Sequence, residues 1–186
     1  VNLRKGIQRS CDVYFYEVAR KLGIDRLSKT AKQFGLGETV LSDFTEERSG
    51  VVPNTKWKKK FIGQNWYIGE TLHTGIGQGY FLSTPIQLCL MTAQIANGGF
   101  EIKPRIIFDK KNNNLKNYIK FKKENLDEPL PIDLVPNNFE LKPLFKDKEN
   151  IRIVKDAMFA SSNEPGGTSY RHRMENPKFS FAGKTG

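Results

Sequence analysis

The segment TPIQLCLMTAQIANGG, Thr84 to Gly99, constrains the fold more than any other part of the chain. Thr84 is a candidate N-cap, because its hydroxyl is suited to accept a hydrogen bond from an unpaired N–H in the first turn. Pro85 suits the first helical position, and Gly98-Gly99 supplies a stop. Between them Ile86, Leu88, Cys89, Leu90, Met91, Ala93, Ile95 and Ala96 nearly encircle the helix. A helix that is apolar on all sides is predicted to lie inside a core rather than on a surface. With 186 residues the chain is long enough for one such core, and its length favours one domain. No apolar stretch reaches 18 residues, so no transmembrane helix is predicted within it.

The remaining elements follow from periodicity and breakers. Val13, Tyr16, Ala19 and Leu22, with Phe15 and Val18, repeat at helical spacing up to Gly23. Asp25 is placed to cap a second helix through Leu27, Ala31 and Phe34, ended by Gly35. Residues 39–53 read as an irregular connection, and ETLHTGIGQGY (70–80) is too glycine-rich to be regular throughout. Residues 102–108 read as a strand with Pro104 near its edge. Residues 150–160 read as a helix with Ile151, Val154, Ala157 and Met158 on one side. SSNEPGGTSYR reads as a loop and FSFAGKTG (179–186) as a strand. No internal repeat is present.

The chain carries 30 Lys+Arg against 20 Asp+Glu, a net charge of +10. Four lysines fall within residues 56–60, and eight basic residues face only Asp109 between Lys103 and Lys123. Such runs more often solvate than bind, and both are read as solvated lysine-rich segments. A nucleic-acid module would need a zinc pattern, an RNA-recognition signature or a helix with interleaved base-reading residues, and none is found. Residues 109–146, rich in Asn, Lys, Asp and Pro, read as a surface excursion within the domain. Cys11 and Cys89 have no metal spacing and set no redox compartment. His73 and His172 lack a ligand partner at suitable spacing, so neither metal nor cofactor is expected.

Two triplets carry candidate chemistry. Ser10-Cys11-Asp12 stands before the first long helix, where capping is the ordinary use of such residues. Lys184-Thr185-Gly186 ends a predicted strand and offers a cation, a hydroxyl and a residue without a side chain, suited to a carboxylate and to an extended peptide. Each triplet is weak alone. Together, in this order, they fit the second and third motifs of serine penicillin-binding proteins.

The resemblance extends beyond the triplets. SCDVYFYEVARKLGIDRL, FGLG, ERSGVVP, the block GETLHTGIGQGYFLSTPIQLCLMTAQIANGG, NEPGGTSYR and AGKTG resemble the transpeptidase domain of class B penicillin-binding proteins of the cell-elongation type. The match is poorest over 109–146. Division-type relatives tend to show Ser-Ser-Asn and Tyr-Gly-Tyr-Gly where this chain has Ser-Cys-Asp and Ile-Gly-Gln-Gly. SDFTEERSG departs from the usual Pro-Gly-Glu-Arg form.

The resemblance implies an α+β fold of the serine β-lactamase/transpeptidase class, with residues 1–186 a partial penicillin-binding domain. It implies a peptidoglycan D,D-transpeptidase in which a serine is acylated by a stem peptide, D-alanine leaves and an amine of a neighbouring stem takes the acyl group. Ser10 then corresponds to a proton relay and Asp12 to the residue that holds the S-x-x-K lysine and the substrate amide, its charge helping to keep the nearby lysines protonated. Lys184 corresponds to the cation near the relay serine and substrate carboxylate. Thr185 corresponds to a hydroxyl bonded to that carboxylate, and Gly186 to a place where the peptide approaches. Ser10 is expected at a helix start or inter-helix turn, beside the 179–186 strand.

The family nucleophile belongs to an S-x-x-K motif upstream of the second motif, and none occurs here. Ser28-Lys29-Thr30-Ala31 lacks the lysine. The chain starts at Val1 and stops at a glycine within an apparent strand, so it is expected to be a segment of a longer enzyme and inactive alone. The nucleophile helix and the strands after Lys-Thr-Gly are expected elsewhere in that enzyme. The implied setting is the periplasmic face of the bacterial inner membrane, with an N-terminal anchor outside this chain. Implied partners are stem peptides, β-lactam antibiotics and a membrane glycan polymerase, with no nucleic acid. The alternative is a transpeptidase-like β-lactam sensor without crosslinking activity.

Overall fold

The computed structural model describes residues 1–41, 44–104 and 142–185. Among them the order is α1 (Leu3–Gln8), α2 (Asp12–Leu22), α3 (Ile24–Gln33), α4 (Thr55–Phe61), α5 (Ile68–Gly75), α6 (Pro85–Ala96) and α7 (Glu149–Asn163). Short 3-10 turns follow at Tyr170–His172 and Pro177–Phe179. α1 packs along α7, α2 along α5, and α6 meets α7. Ile7, Ala19, Leu90, Ile151, Ala157 and Ala160 are buried between these helices. Ala157 and Ala160 leave no side-chain bulk on α7, which lets α1 come close. No described helix is long and apolar enough to cross a membrane.

α6 begins as its sequence predicts. Thr84 Oγ1 accepts from Gln87 N (3.4 Å) while Gln87 Oε1 accepts from Thr84 N (3.2 Å), a reciprocal capping box. Its burial differs from expectation. The buried face is Gln87, Leu90 and Gln94, whereas Leu88 and Cys89 are exposed. Gln87 Nε2 donates to the carbonyls of Glu38 (2.7 Å) and Ser49 (2.8 Å). Gln94 Nε2 donates to Phe34 O (3.0 Å), and its Oε1 accepts from Ile102 N (3.3 Å). Backbone groups at the end of α3, around residues 38 and 49, and at Ile102 have no partner within a regular element, and these two amides take them up. Hydropathy alone does not register that demand.

Other expectations are corrected in the same way. α1 escaped the sequence reading because six residues give too few turns for a period; Asn2 caps it, accepting from Lys5 N at 3.0 Å. α5 begins two residues before the glycine-rich stretch and runs to Gly75, after which the chain turns, so the stretch is not regular throughout, as expected. Asp25 stands in the first turn of α3 and serves a different helix: its carboxylate accepts from Thr55 N (3.1 Å) and Thr55 Oγ1 (3.0 Å) at the start of α4. The lysine run 56–60 is helical, and Lys58 is only 1% exposed, ion-paired with Glu70.

Neither predicted strand is paired with another strand among the described residues, and most of the first lies outside them. Residues 102–104 are unpaired and 105–108 lie outside the described set; Phe100 makes an isolated bridge with Pro143. Most of the 109–146 excursion also lies outside it. Residues 180–185 have no strand partner among the described residues. Their backbone is spent on α7 instead, with Gly183 N donating to Met158 O (3.1 Å) and Asn163 Nδ2 to Phe181 O (2.7 Å). That docking brings the Lys184 end of the chain beside the α1–α2 turn.

Candidate active site

The α1–α2 turn has unusual backbone chemistry. Ser10 N donates to Ile7 O (3.2 Å) and Cys11 N to Gly6 O (2.9 Å), closing the double-bonded turn that ends many helices. In that turn Ser10 holds the left-handed position, with φ +50°, and is the one non-glycine residue with positive φ among the described residues. Glycine is the ordinary occupant, and a side chain there costs roughly 1–2 kcal/mol. Neither Ser10 nor Asp12 caps α2, whose N-cap is Cys11 and which has no side-chain cap bond. The bland reading of the triplet as a helix cap therefore fails.

The Ser10 hydroxyl points to the far end of the chain. Lys184 Nζ donates to Ser10 Oγ at 2.7 Å, across 174 residues of sequence, and to Thr185 O at 2.5 Å. Lys184 is exposed as a residue, yet partial burial of its ammonium pulls its pKa below the ordinary lysine value. The Asp12 carboxylate opposes that shift through space, favouring the charged form. The cluster is thus a serine hydroxyl in a strained turn, held by a cation whose charge one carboxylate supports without directly pairing with it.

Thr185 Oγ1 lies 3.0 Å from Thr168 Oγ1, which lies 3.2 Å from the buried Ser161 hydroxyl on α7. Sequence reasoning finds no role for Thr168 beyond its place in NEPGGTSYR. Gly186 falls outside the described residues. Ser28, the serine of the incomplete motif, is 3% exposed and accepts from Asn54 Nδ2 (3.4 Å), so it is occupied in the fold and away from the cluster.

The frame around the turn is ionic. Arg4 on α1 donates from both terminal nitrogens to Glu164 (2.9 and 2.5 Å) at the end of α7, and from Nε to Asp156 (2.6 Å). Hydrogen bonds from Arg4 hold the Glu164 carboxyl below the usual carboxylate range. A bidentate pair fixes angle as well as distance, so it sets how α1 presents Ser10.

The family model of the penicillin binding protein transpeptidase domain matches residues 1–186. The chain belongs to this family. It is 32% identical over its whole length to the peptidoglycan D,D-transpeptidase MrdA of Escherichia coli K12, and spans 27% of that protein. Among solved structures it is similar to penicillin-binding protein 2 of Helicobacter pylori in its complex with MreC. There the TM-score is 0.76 at 33% identity, with all of this chain and 30% of that one covered. It is also similar to Pseudomonas aeruginosa penicillin-binding protein 2 in complex with WCK 5153, with TM-score 0.70, 36% identity, and 92% and 34% covered. These matches give the transpeptidase fold class expected from the sequence, although the described residues are helical. The elongation-type resemblance agrees with the relatives' names.

Proposed function

We propose that the protein containing this chain is a peptidoglycan D,D-transpeptidase of the elongation type. It crosslinks stem peptides through a serine acyl-enzyme and is acylated by β-lactams. The observation that carries this reading is the 2.7 Å bond from Lys184 Nζ to Ser10 Oγ, which joins the second and third motifs. The names of its relatives favour crosslinking over the sensor alternative.

In this reading Lys184 stays protonated and receives the carboxylate of the donor peptide or of the antibiotic. Its bond to Ser10 turns the serine's own proton outward, toward the departing amine of D-alanine, as a general acid requires. Asp12 keeps the cation charged against its partial burial. Thr185 adds a hydroxyl to the same carboxylate, and Gly186 leaves room for the peptide backbone. The nucleophile of an S-x-x-K motif completes the machinery and is supplied from outside this chain. The setting we propose is the periplasmic face of the inner membrane. The proposed partners are stem peptides and a glycan polymerase of the elongation machinery; the Helicobacter pylori relative is solved in a complex with MreC.

The test is labelling of the full-length protein by a fluorescent penicillin. Labelling is expected on a serine outside this chain, and Lys184→Ala is expected to slow it by about 10²–10³-fold, the loss typical of one positioned electrostatic group. Absence of labelling, or an adduct on Ser10 or Ser28, would refute the reading.

A further inference from the structure

The loop after α7 is fixed more firmly than a surface loop needs to be. Gly167 N donates to Glu164 O (3.0 Å) and Ser169 N to Ser161 O (3.1 Å), which ties the loop to α7. Thr168 N donates to Gln8 O (3.2 Å), which ties it to the last residue of α1, two positions before Ser10. Gln8 is buried, and its Nε2 reaches Glu164 Oε2 and Pro165 O, both at 3.4 Å. A Cβ on Gly167 would stand 2.2 Å from the Ser161 carbonyl oxygen, so only glycine permits this approach. Every one of these bonds fixes where the Thr168 side chain starts.

That side chain stands between two other hydroxyls. Ser161 Oγ is 3.2 Å from Thr168 Oγ1, and Thr168 Oγ1 is 3.0 Å from Thr185 Oγ1. A hydroxyl has one proton to give and lone pairs to accept with, whereas a carboxylate only accepts. When a carboxylate takes the proton of Thr185, the order of donation is fixed along the row. Thr185 gives to the ligand and accepts from Thr168, which in turn accepts from Ser161. Before the ligand arrives either hydroxyl of each pair can donate; the buried end has no water to turn to, so the carboxylate's demand for a proton sets one direction along the whole row.

We propose that Thr168 is a positioning residue for carboxylate recognition, its hydroxyl orienting the Thr185 hydroxyl toward the carboxylate of the stem peptide or β-lactam. The inference rests on the transpeptidase reading above. It adds a third motif-bearing segment, NEPGGTSYR, to a site otherwise made by Ser10-Cys11-Asp12 and Lys184-Thr185-Gly186.

The experiment uses the full-length protein and measures acylation by benzylpenicillin and by its methyl ester, separating apparent affinity from the acylation rate constant. Thr168→Val keeps the shape and removes the hydroxyl. It is expected to weaken apparent affinity for benzylpenicillin about three- to tenfold, the worth of one hydrogen bond, with the rate constant little changed. Reactivity toward the ester should stay near wild type, and Thr168→Ser should restore the preference for the acid. Should Thr168→Val not fold, Thr168→Ala against Thr168→Ser makes the same comparison. Unchanged affinity for benzylpenicillin in Thr168→Val would overturn the inference. So would an equal loss toward acid and ester, which would make Thr168 a packing residue only. A wild-type protein that takes up neither ligand would instead bring down the transpeptidase reading, and the inference with it.

Discussion

Lys58 and Lys184 both have their ammonium groups fixed by hydrogen bonds, yet their surroundings are opposite. Lys58 is 1% exposed, pairs with the Glu70 carboxylate, and lies under the rings of Tyr67 (4.8 Å), Trp66 and Tyr80 (both 5.9 Å). Lys184 is exposed, and its hydrogen-bond partners are a hydroxyl and a carbonyl, neither of which carries charge. A buried cation must be neutralised where it sits, because desolvation costs several kcal/mol per ion. A cation with the carboxylate-binding role proposed for Lys184 must be held in place without being neutralised. The first lysine is a tether between α4 and α5; the second has charge to spare.

The largest test of that contrast is removal of each ammonium. Lys58→Met leaves Glu70 without its cation and is expected to destabilise the fold by roughly 3–5 kcal/mol, as breaking a buried pair does. A second substitution, Glu70→Gln, should recover part of that loss by removing the stranded charge. Lys184→Met should change stability by no more than about 0.5 kcal/mol, as for a surface site. Denaturant melts of the full-length protein measure all three. Equal losses at both lysines would erase the distinction.

The turns on either side of α2 sharpen it further. Gly23, at the α2–α3 junction, has φ +77° and places no side chain there, whereas Ser10, at the α1–α2 junction, holds positive φ with a side chain. The fold thus bears a backbone cost at the one junction where a hydroxyl meets Lys184. Ser10→Gly should raise stability by about 1 kcal/mol, since glycine takes that conformation freely. The same variant should label with penicillin more slowly than wild type. Stability and acylation are read on one preparation, and a gain in both would show that Ser10 is not retained for its hydroxyl.

Much of this was legible in the sequence, and the failures have physical causes. Thr84-Pro85 marked the start of α6 because capping is local chemistry, and Gly23 marked the end of α2 for the same reason. The pairing of Ser10 with Lys184 was readable only through motif order, since no local rule spans 174 residues. The lysine run predicts a solvated segment, and Lys58 departs from it because its partner Glu70 and three aromatic rings are not adjacent to it in sequence. The alternation of residues 179–186 predicts a strand, and among the described residues that backbone is bonded to α7 through Gly183 N and Phe181 O. Thr168 carries no sequence signal of its role, because a threonine after two glycines indicates a turn and nothing more until its neighbours Ser161 and Thr185 are known.

The smallest effect separates the two lysine sites by pH. Partial burial pushes the Glu70 carboxyl upward, but bonds from Lys58 and from Tyr67 N outweigh it and hold the folded pKa below the ordinary value. Stability from this pair is therefore complete above the unfolded carboxylate pKa of about 4.3 and is lost as pH falls through the folded one. Lys184 has the opposite dependence. Burial lowers its folded pKa below the ordinary lysine value, so folding bears the cost of the charged form at neutral pH. That cost is relieved as pH rises through the folded pKa toward the unfolded one, of about 10.4, because the unfolded chain then binds more protons. Relative to Lys184→Met, wild type should gain stability in the alkaline window; relative to Glu70→Gln, it should lose its advantage in the acid window. Asp12→Asn removes the charge that supports the Lys184 cation, so the alkaline gain should begin at lower pH in that variant. Denaturation midpoints measured across both windows decide the matter. If Asp12→Asn leaves the alkaline limb where it was, Asp12 does not sustain the charge of Lys184, and its place in the site would have to rest on substrate contact alone.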